Sequence, residues 1–334
     1  MRSYKIVILS DIHYASKKEQ NEGENEIHKM RNPVLKLIAF IFRHFFWMRH
    51  PYAHNNKLFQ FLTVAPDADL VVACGDFSCD SANIGASYPP VKESITDAIY
   101  FIQERFKDNF LPIHGDHDIG KMSLFGGNGG LRLESWQFLQ EKLNFRPVWH
   151  RQIGSWRLIG ICSTLLMLPI LKKEILPGEL SQWEKLRTNY LRELNTHLLM
   201  TTSEDKIILF CHDPTALPYL AELPSIQHLL NRKRIVLTII GHLHTEIILK
   251  ISYLLAGMPH IKFLGNSVSK MSFALRQAKI WKQFNVLLCP SLSGCQWLKD
   301  GGWLELDLSE DKNFTLIRHY LKWTSKITSS SKKK

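Results

Sequence analysis

Six short apolar runs set the first constraint on this chain: KIVILS (5–10), DLVVAC (69–74), NFLPIH (109–114), WRLIGICS (156–163), KIILFCH (206–212) and RIVLTIIG (234–241). They are continuous rather than alternating, which suits strands buried on both faces. Helical patterns separate several of them, notably 91–107 and 178–200, the second with Glu179 and Ser181 near its start. Strand and helix in alternation predict an α/β layered fold. The stretch GGWLELDLSEDKNFTLIRHYLKW (301–323) alternates apolar and polar residues about the turn SEDKN instead, and reads as an antiparallel hairpin.

Where the runs stop is as informative as where they lie. LSDIH places Asp11 and His13, ACGDF places Gly75 and Asp76, HGDHD places Asp116, His117 and Asp118, FCHDP places His212, and IIGHLH places Gly241, His242 and His244. In open α/β sheets the sites lie outside the carboxyl ends of the strands, so these residues are expected to converge. Asp together with neutral His is the donor set that borderline divalent cations prefer. D-x-H and H-x-H on an extended strand end put alternate side chains on one side, where both can face one metal. The glycines at 75 and 241 allow close backbone approach to the ions. Bridging carboxylates with histidines in the outer positions suit two metals roughly 3.5 to 4 Å apart acting on a phosphoryl group. Taken singly, D-x-H, G-D or H-D-P is an ordinary turn, cap or satisfied histidine; five such motifs in order, each behind an apolar run, carry the weight.

This set of motifs resembles the calcineurin-like metallophosphoesterases, from Asp11 to about His244 with the hairpin beyond. The resemblance implies one domain over 1–323, built as a β-sandwich flanked by helices. It assigns Asp11, His13 and His244 to a first metal and Asp116, His212 and His242 to a second, with Asp76 bridging. It also implies in-line hydrolysis by metal-activated water, with His117 protonating the leaving oxygen and Asp118 holding the His117 ring. The implied cofactors are two divalent ions, manganese first, with iron, zinc or magnesium compatible with the same donors. Two positions depart from the family pattern. Asp116 stands where asparagine is usual, which adds a negative charge; the expectation is that it tightens the second metal while basic groups outside the ligand set attract the substrate. Cys79 stands three positions after Asp76 where many members carry aspartate, and Asp80 beside it is given no ligand role.

The formal charge of +11 points to anionic partners. Six cysteines without a C-x-x-C pair, four of them at the ends of apolar runs, read as reduced, buried thiols of a cytosolic protein. The first residues are too short an apolar run for a signal peptide, and no window reaches a transmembrane span. Between His13 and Asp76 lies an insert, about 15–57. Residues 15–31 read as a mobile polar loop, and NPVLKLIAFIFRHFFWMRHPY as a helix opened by Asn32 and Pro33 and stopped by Pro51. That helix either packs on the sheet or lies in a membrane interface with Lys36 and Arg43 toward anionic headgroups. A second basic, aromatic helical insertion occupies about 267–285, and 324–334 is a disordered basic tail. The profile is similar to the branch of the family that cleaves the pyrophosphate of UDP-2,3-diacylglucosamine in lipid A biosynthesis. That likeness implies an amphiphilic phosphate substrate, a membrane-facing insert and a cytoplasmic protein peripheral on the inner face of the membrane. The competing expectations are a soluble phosphodiesterase or phosphatase and a binding scaffold on the same fold. Nucleic acid is disfavoured because the basic residues sit beside large aliphatics rather than in a stripe with stacking aromatics.

Overall fold

Every residue from Ile6 to Leu9 is fully buried, as a strand covered on both faces requires. The computed structural model describes residues 3–22, 32–47, 51–123 and 129–323. One five-stranded sheet has the order β10-β9-β1-β2-β3, built from β1 (Ser3–Leu9), β2 (Leu70–Ala73), β3 (Phe110–Pro112), β9 (Gly302–Ser309) and β10 (Phe314–Tyr320). A second has the order β4-β5-β6-β7-β8, from β4 (Val148–Ile153), β5 (Trp156–Ile161), β6 (Lys206–Cys211), β7 (Ile235–Ile240) and β8 (Val286–Leu288). The β1-β2-β3 and β5-β6-β7-β8 neighbours are parallel; β9 runs antiparallel to β1 and β10, and β4 to β5.

Side-chain alternation divides the core into two compartments. Ile6, Ile8 and Val72 of the first sheet, with Ile113 just beyond β3, share a cluster with Leu158, Ile208, Phe210 and Ile239 of the second. The opposite faces, including Val7, Leu9, Val71 and Leu209, join the larger cluster under the helices, where Val91, Ile95 and Ile102 of the helix Pro89–Phe106 lie. A fully buried Ile, Leu or Phe is worth about 1.5–3 kcal/mol, and a one-residue slip of a strand would exchange its two faces. Register is therefore firmly set, and with it the place where each strand releases its loop.

The expected β-sandwich flanked by helices is the architecture observed, and the hairpin at 301–323 is β9-β10. The helix of 91–107 is Pro89–Phe106 and that of 178–200 is Leu180–Leu199. Glu179 does not cap its helix; its carboxylate accepts from the Leu133 N–H (3.0 Å) and the Trp183 indole (3.3 Å). The polar segment after His13 is not a loop throughout, because Lys17–Glu22 is helical. Buried Glu19 organises it, accepting from the Ser81 N–H (3.0 Å) and the Ser94 hydroxyl (2.5 Å). Residues 23–31 and the tail 324–334 lie outside the described residues.

The insert corrects one alternative. Pro33–Ile41 is an α-helix continued by a π-helical turn at Phe42–Trp47, and it does not pack on the sheet as a buried helix would. Among its described residues Ala39 is buried, whereas Val34, Leu37, Phe40 and Phe45 are 63%, 58%, 51% and 60% exposed. The second basic segment, Asn266–Trp281 with a 3-10 turn at Lys282–Phe284, does join the core through Ala278, Trp281 and Phe284. Among the described residues no helix is long and apolar enough to cross a membrane.

Candidate metal centre

The loops that leave β1, β2, β3, β6 and β7 meet where the two sheets adjoin. Backbone hydrogen bonds tie them in sequence: Asp11 N–H to the Gly75 carbonyl (3.1 Å), and Gly241 N–H to the His212 carbonyl (3.0 Å). Asp11 closes the circle between sheets, its carboxylate accepting from the His242 N–H at 3.2 Å. Gly75, at φ +85°, lets the β2 loop pass beneath its neighbours; a Cβ there would lie 2.8 Å from Gly115 N and 2.8 Å from His212 Nδ1. At Gly241 a Cβ would stand 1.9 Å from the Ser10 hydroxyl and 2.8 Å from Asp11 Oδ2. Both glycines therefore make room for the ligand-bearing loops.

Five residues at this junction hold left-handed backbone: Asp11 (φ 51°), His13 (49°), Asp76 (57°), His242 (63°) and His244 (57°). Such conformations cost of order 1–3 kcal/mol each and persist where surrounding structure over-determines them, as it does at active sites. They also correct the strand-pleat expectation. β1 ends at Leu9 and β7 at Ile240, so neither D-x-H nor H-x-H is extended. Asp11 and His13 still face one position, but His242 and His244 turn to different ones.

Among the described residues three overlapping groups result, Asp11 with His13 and His244, Asp76 with Asp116, His212 and His242, and, across them, His13 with Asp76 and His117. In the first, His244 Nε2 is 3.3 Å from Asp11 Oδ1 and 3.4 Å from His13 Nε2. In the second, His212 Nε2 lies 3.0 Å from Asp116 Oδ1 and 3.2 Å from Asp76 Oδ2, and His242 Nδ1 is 3.2 Å from Asp116 Oδ1. Asp76 joins the two, since its Oδ2 is also 3.9 Å from His13 Nε2. The structure thus brings all seven candidate ligands together.

Outer hydrogen bonds aim the rings. His212 Nδ1–H donates to the Cys74 carbonyl (2.7 Å) and His13 Nδ1–H to the Ser78 carbonyl (3.2 Å), leaving both Nε2 atoms turned inward. Asp213 Oδ2 stands 3.7 Å from His242 Nε2, behind the nitrogen that faces Asp116. Partners of this kind orient the ligands of metal sites. Burial holds His13 and His244 well below the ordinary imidazole range, so both are neutral. Burial acts the same way on His212, yet Asp76 and Asp116 overcome it and raise that ring well above its usual value. Burial pushes Asp11 up to about 6, against the pull of His212. Crowded carboxylates that draw protons onto neighbouring imidazoles, beside neutral rings with inward lone pairs, fit divalent cations of borderline character.

His117 occupies the edge of the cluster. Its Nδ1–H donates to the Cys79 carbonyl (2.8 Å), its Nε2 lies 3.9 Å from Asp76 Oδ2, and burial followed by the Lys121 charge lowers its pKa. Asp118 does not hold this ring, contrary to expectation. It sits at the third position of the one-turn helix Asp116–Ile119, which turns its carboxylate back to accept from the N–H groups of Phe77 (2.8 Å), Gly115 (2.9 Å) and Asp76 (3.1 Å). Burial, then the charge of Asp76, pushes it up to about 7. Asp118 is a clamp for the loop that carries the shared carboxylate. Asp80 also stays outside the ligand groups, accepting from Ile84 N–H and Gly85 N–H at 3.1 Å.

Three neighbours of the site escaped sequence reading. Lys121 lies 3.3 Å from Asp116 Oδ2 and touches His117 Nε2. Asp213 was visible only as part of H-D-P. Trp47, the last described residue of its helical segment, sets its ring against His244 at 4.4 Å between centroids.

A family model of the calcineurin-like phosphoesterases matches residues 4–246. Among solved structures, a dimetal phosphatase from Danio rerio superposes with a TM-score of 0.52 at 9% identity, over 96% of this chain and 99% of that one. A purple acid phosphatase from yellow lupin (Lupinus luteus) seeds gives 0.44 at 13% identity, over 97% of this chain and 52% of that one, too loose a likeness to build on. No curated protein sequence matches the chain. The zebrafish likeness is one of fold, but the family match spans most of the length and includes the carboxylates and imidazoles gathered at the strand ends. The chain belongs to the calcineurin-like phosphoesterases and is a metal-dependent phosphoester hydrolase, of a family that implies two divalent metal ions.

Proposed function

We propose that this hydrolase acts on an amphiphilic phosphate at an anionic membrane surface. The specific reaction to test first is cleavage of the UDP-2,3-diacylglucosamine pyrophosphate bond to UMP and 2,3-diacylglucosamine 1-phosphate. One observation carries the reading: an exposed apolar surface leads into the metal centre. Val34, Leu37, Ile38, Phe40, Phe45 and Phe46 are all between 46% and 63% exposed, and the segment they occupy ends with Trp47 against His244. Contiguous exposed apolar residues mark sites of lipid or partner contact. Lys36, exposed on the same segment, supplies charge suited to anionic headgroups. On this reading the protein is peripheral on the cytoplasmic face of the membrane.

The residues divide the chemistry. Asp11, His13 and His244 would hold one ion, and Asp116, His212 and His242 the other, with Asp76 shared. Bound divalent ions supply a nucleophilic water at neutral pH and neutralise phosphoryl oxygens. Manganese is the first to load, and iron, zinc or magnesium suit the same donors. His117, fixed by the Cys79 carbonyl, presents Nε2 at the edge of the cluster where it can protonate a leaving oxygen. Trp47 limits water beside His244 and sets the boundary between the polar centre and the apolar surface.

The test assays manganese-loaded protein in parallel on UDP-2,3-diacylglucosamine, bis-p-nitrophenyl phosphate and cyclic AMP, with flotation on vesicles containing anionic lipid. Preference for the acylated substrate together with flotation is expected. Hydrolysis of the soluble substrates alone, by protein that stays off vesicles, would replace this reading with a soluble phosphodiesterase.

A further inference from the structure

A cavity of about 780 Å³ opens between the last turns of the helix Leu180–Leu199 and the helix Pro224–Asn231. It borders the chain just before β6 and β7, whereas the metal centre lies after them. Six residues of β6 at roughly 3.3 Å each place it roughly 20 Å from His212. Leu198 and Leu229 contribute an apolar wall, and Asn195, His228, Arg232 and Arg234 bring nitrogen groups to the lining. Among the described residues no aspartate or glutamate lines it. The carboxylates nearby in sequence are engaged elsewhere, Asp205 with Arg157 (3.4 Å) and Glu204 with Lys312 (3.0 Å). Arg234 donates to the carbonyls of Thr202 and Asp205, neutral acceptors that fix its guanidinium without forming an ion pair. Arg232 is exposed, and among the described residues neither its guanidinium nor the Asn195 amide has a hydrogen-bond or ion-pair partner.

We propose that this cavity is a second binding site, for a small soluble organic phosphate whose charged group meets Arg232 and Arg234 and whose carbon skeleton lies on Leu198 and Leu229. The volume falls in the range of small-molecule sites, and a mostly apolar lining with a few polar groups is their usual make-up. Guanidinium groups present planar forks of N–H donors that match phosphate oxygens. The apolar wall adds affinity for a ligand that inorganic phosphate cannot match. A ligand held here is too far from the ions to be hydrolysed, so the site does not depend on the reaction proposed above. A lipid headgroup would offer the same chemistry. The exposed insert reaches the metal centre at His244, at the far end of these strands, so a membrane-bound molecule turns the cavity toward solvent. That choice of a soluble ligand rests on the membrane reading; the anion site itself does not.

Phenylphosphonate is the probe, because its C–P bond resists phosphoester hydrolysis. Equilibrium dialysis compares manganese-loaded parent and Arg232→Glu, so the difference stands whether or not the metal centre also takes the probe. The variant should lose about tenfold or more in affinity at the cavity, the scale of a charge-assisted hydrogen bond, and so bind about one equivalent fewer at concentrations that saturate the parent. Its turnover of bis-p-nitrophenyl phosphate should match the parent's, which separates this site from the metal centre. Inorganic phosphate should bind the cavity about threefold or more weakly than phenylphosphonate. Equal binding of phenylphosphonate by parent and variant overturns the proposal, and equal affinity for the two anions overturns the organic ligand. Flotation on vesicles containing phosphatidylglycerol should be the same for both proteins; its loss in Arg232→Glu would assign the cavity to a lipid headgroup and overturn the soluble one. If Arg232→Glu does not fold, Asn195→Asp, which also sets a carboxylate in the lining, is read by the same criteria.

Discussion

Replacing Asp118 by asparagine separates two roles that its position beside His117 makes easy to confuse. The carboxylate is fully buried and accepts three backbone N–H groups, Oδ1 from Phe77 and Oδ2 from both Asp76 and Gly115. An amide has one acceptor oxygen. Turned toward Asp76 and Gly115, it leaves its NH2 facing the Phe77 N–H, donor against donor; turned the other way, it abandons two donors. A buried donor without a partner costs about 1–3 kcal/mol, so Asp118→Asn should lose about 2–3 kcal/mol of stability. Asp118→Ala, which orphans all three, should lose more, about 3–5 kcal/mol. Urea unfolding of the metal-free proteins gives these values. Because Asp76 rides on the clamped loop, ion affinity measured by calorimetry should fall as well. A variant as stable as the parent to within 0.5 kcal/mol, with turnover reduced and ion affinity unchanged, would refute the clamp and return Asp118 to the service of the His117 ring.

His117→Ala should lower kcat by about 10²–10⁴ while elemental analysis finds the ions retained; a loss below tenfold, or loss of an ion, would remove His117 from proton transfer. Leu37→Ser with Phe45→Ser alters residues that are 58% and 60% exposed, so folding should be unaffected. Each side chain is worth roughly 1–2 kcal/mol on entering an apolar phase, so vesicle binding should fall by tenfold or more with bis-p-nitrophenyl phosphate turnover unchanged. Unaltered flotation would exclude this segment as the membrane contact. Glu19 yields a pH prediction. Burial raises its folded pKa against the hydrogen bonds from Ser94 and Ser81. The protonated form is therefore favoured in the folded state, and its contribution is complete below the unfolded value of about 4.3 and lost as pH rises through the folded one. Glu19→Gln should accordingly gain stability relative to the parent across that window, and a difference that stays flat with pH would contradict it.

The strands that place the ligands were legible because parallel strands buried on both faces must be apolar throughout. Thus KIVIL, LVVA and IVLTII announce themselves, and the residues behind them follow. β4 was not legible, since His150, Arg151 and Gln152 in its middle are exposed and break the run, and β8 is only three residues long. Period-two reasoning alone put His242 and His244 on one side, and it was the family resemblance that divided these two left-handed residues between the groups. Asp118 was misread for a related reason: a single helical turn reverses its side chain relative to its neighbour. The insert shows the limit of periodicity itself. Apolar residues around most of a helix left a core helix and an interfacial one both open, and only the tertiary structure shows these side chains exposed.

All of this depends on the ends of five strands holding two ions side by side. Anomalous diffraction from manganese-loaded crystals tests that directly. Two peaks are predicted roughly 3.5–4 Å apart, one among Asp11, His13 and His244 and one among Asp116, His212 and His242, with the Asp76 carboxylate between them. A single peak, or none within reach of Asp76 at saturating manganese, would contradict the account.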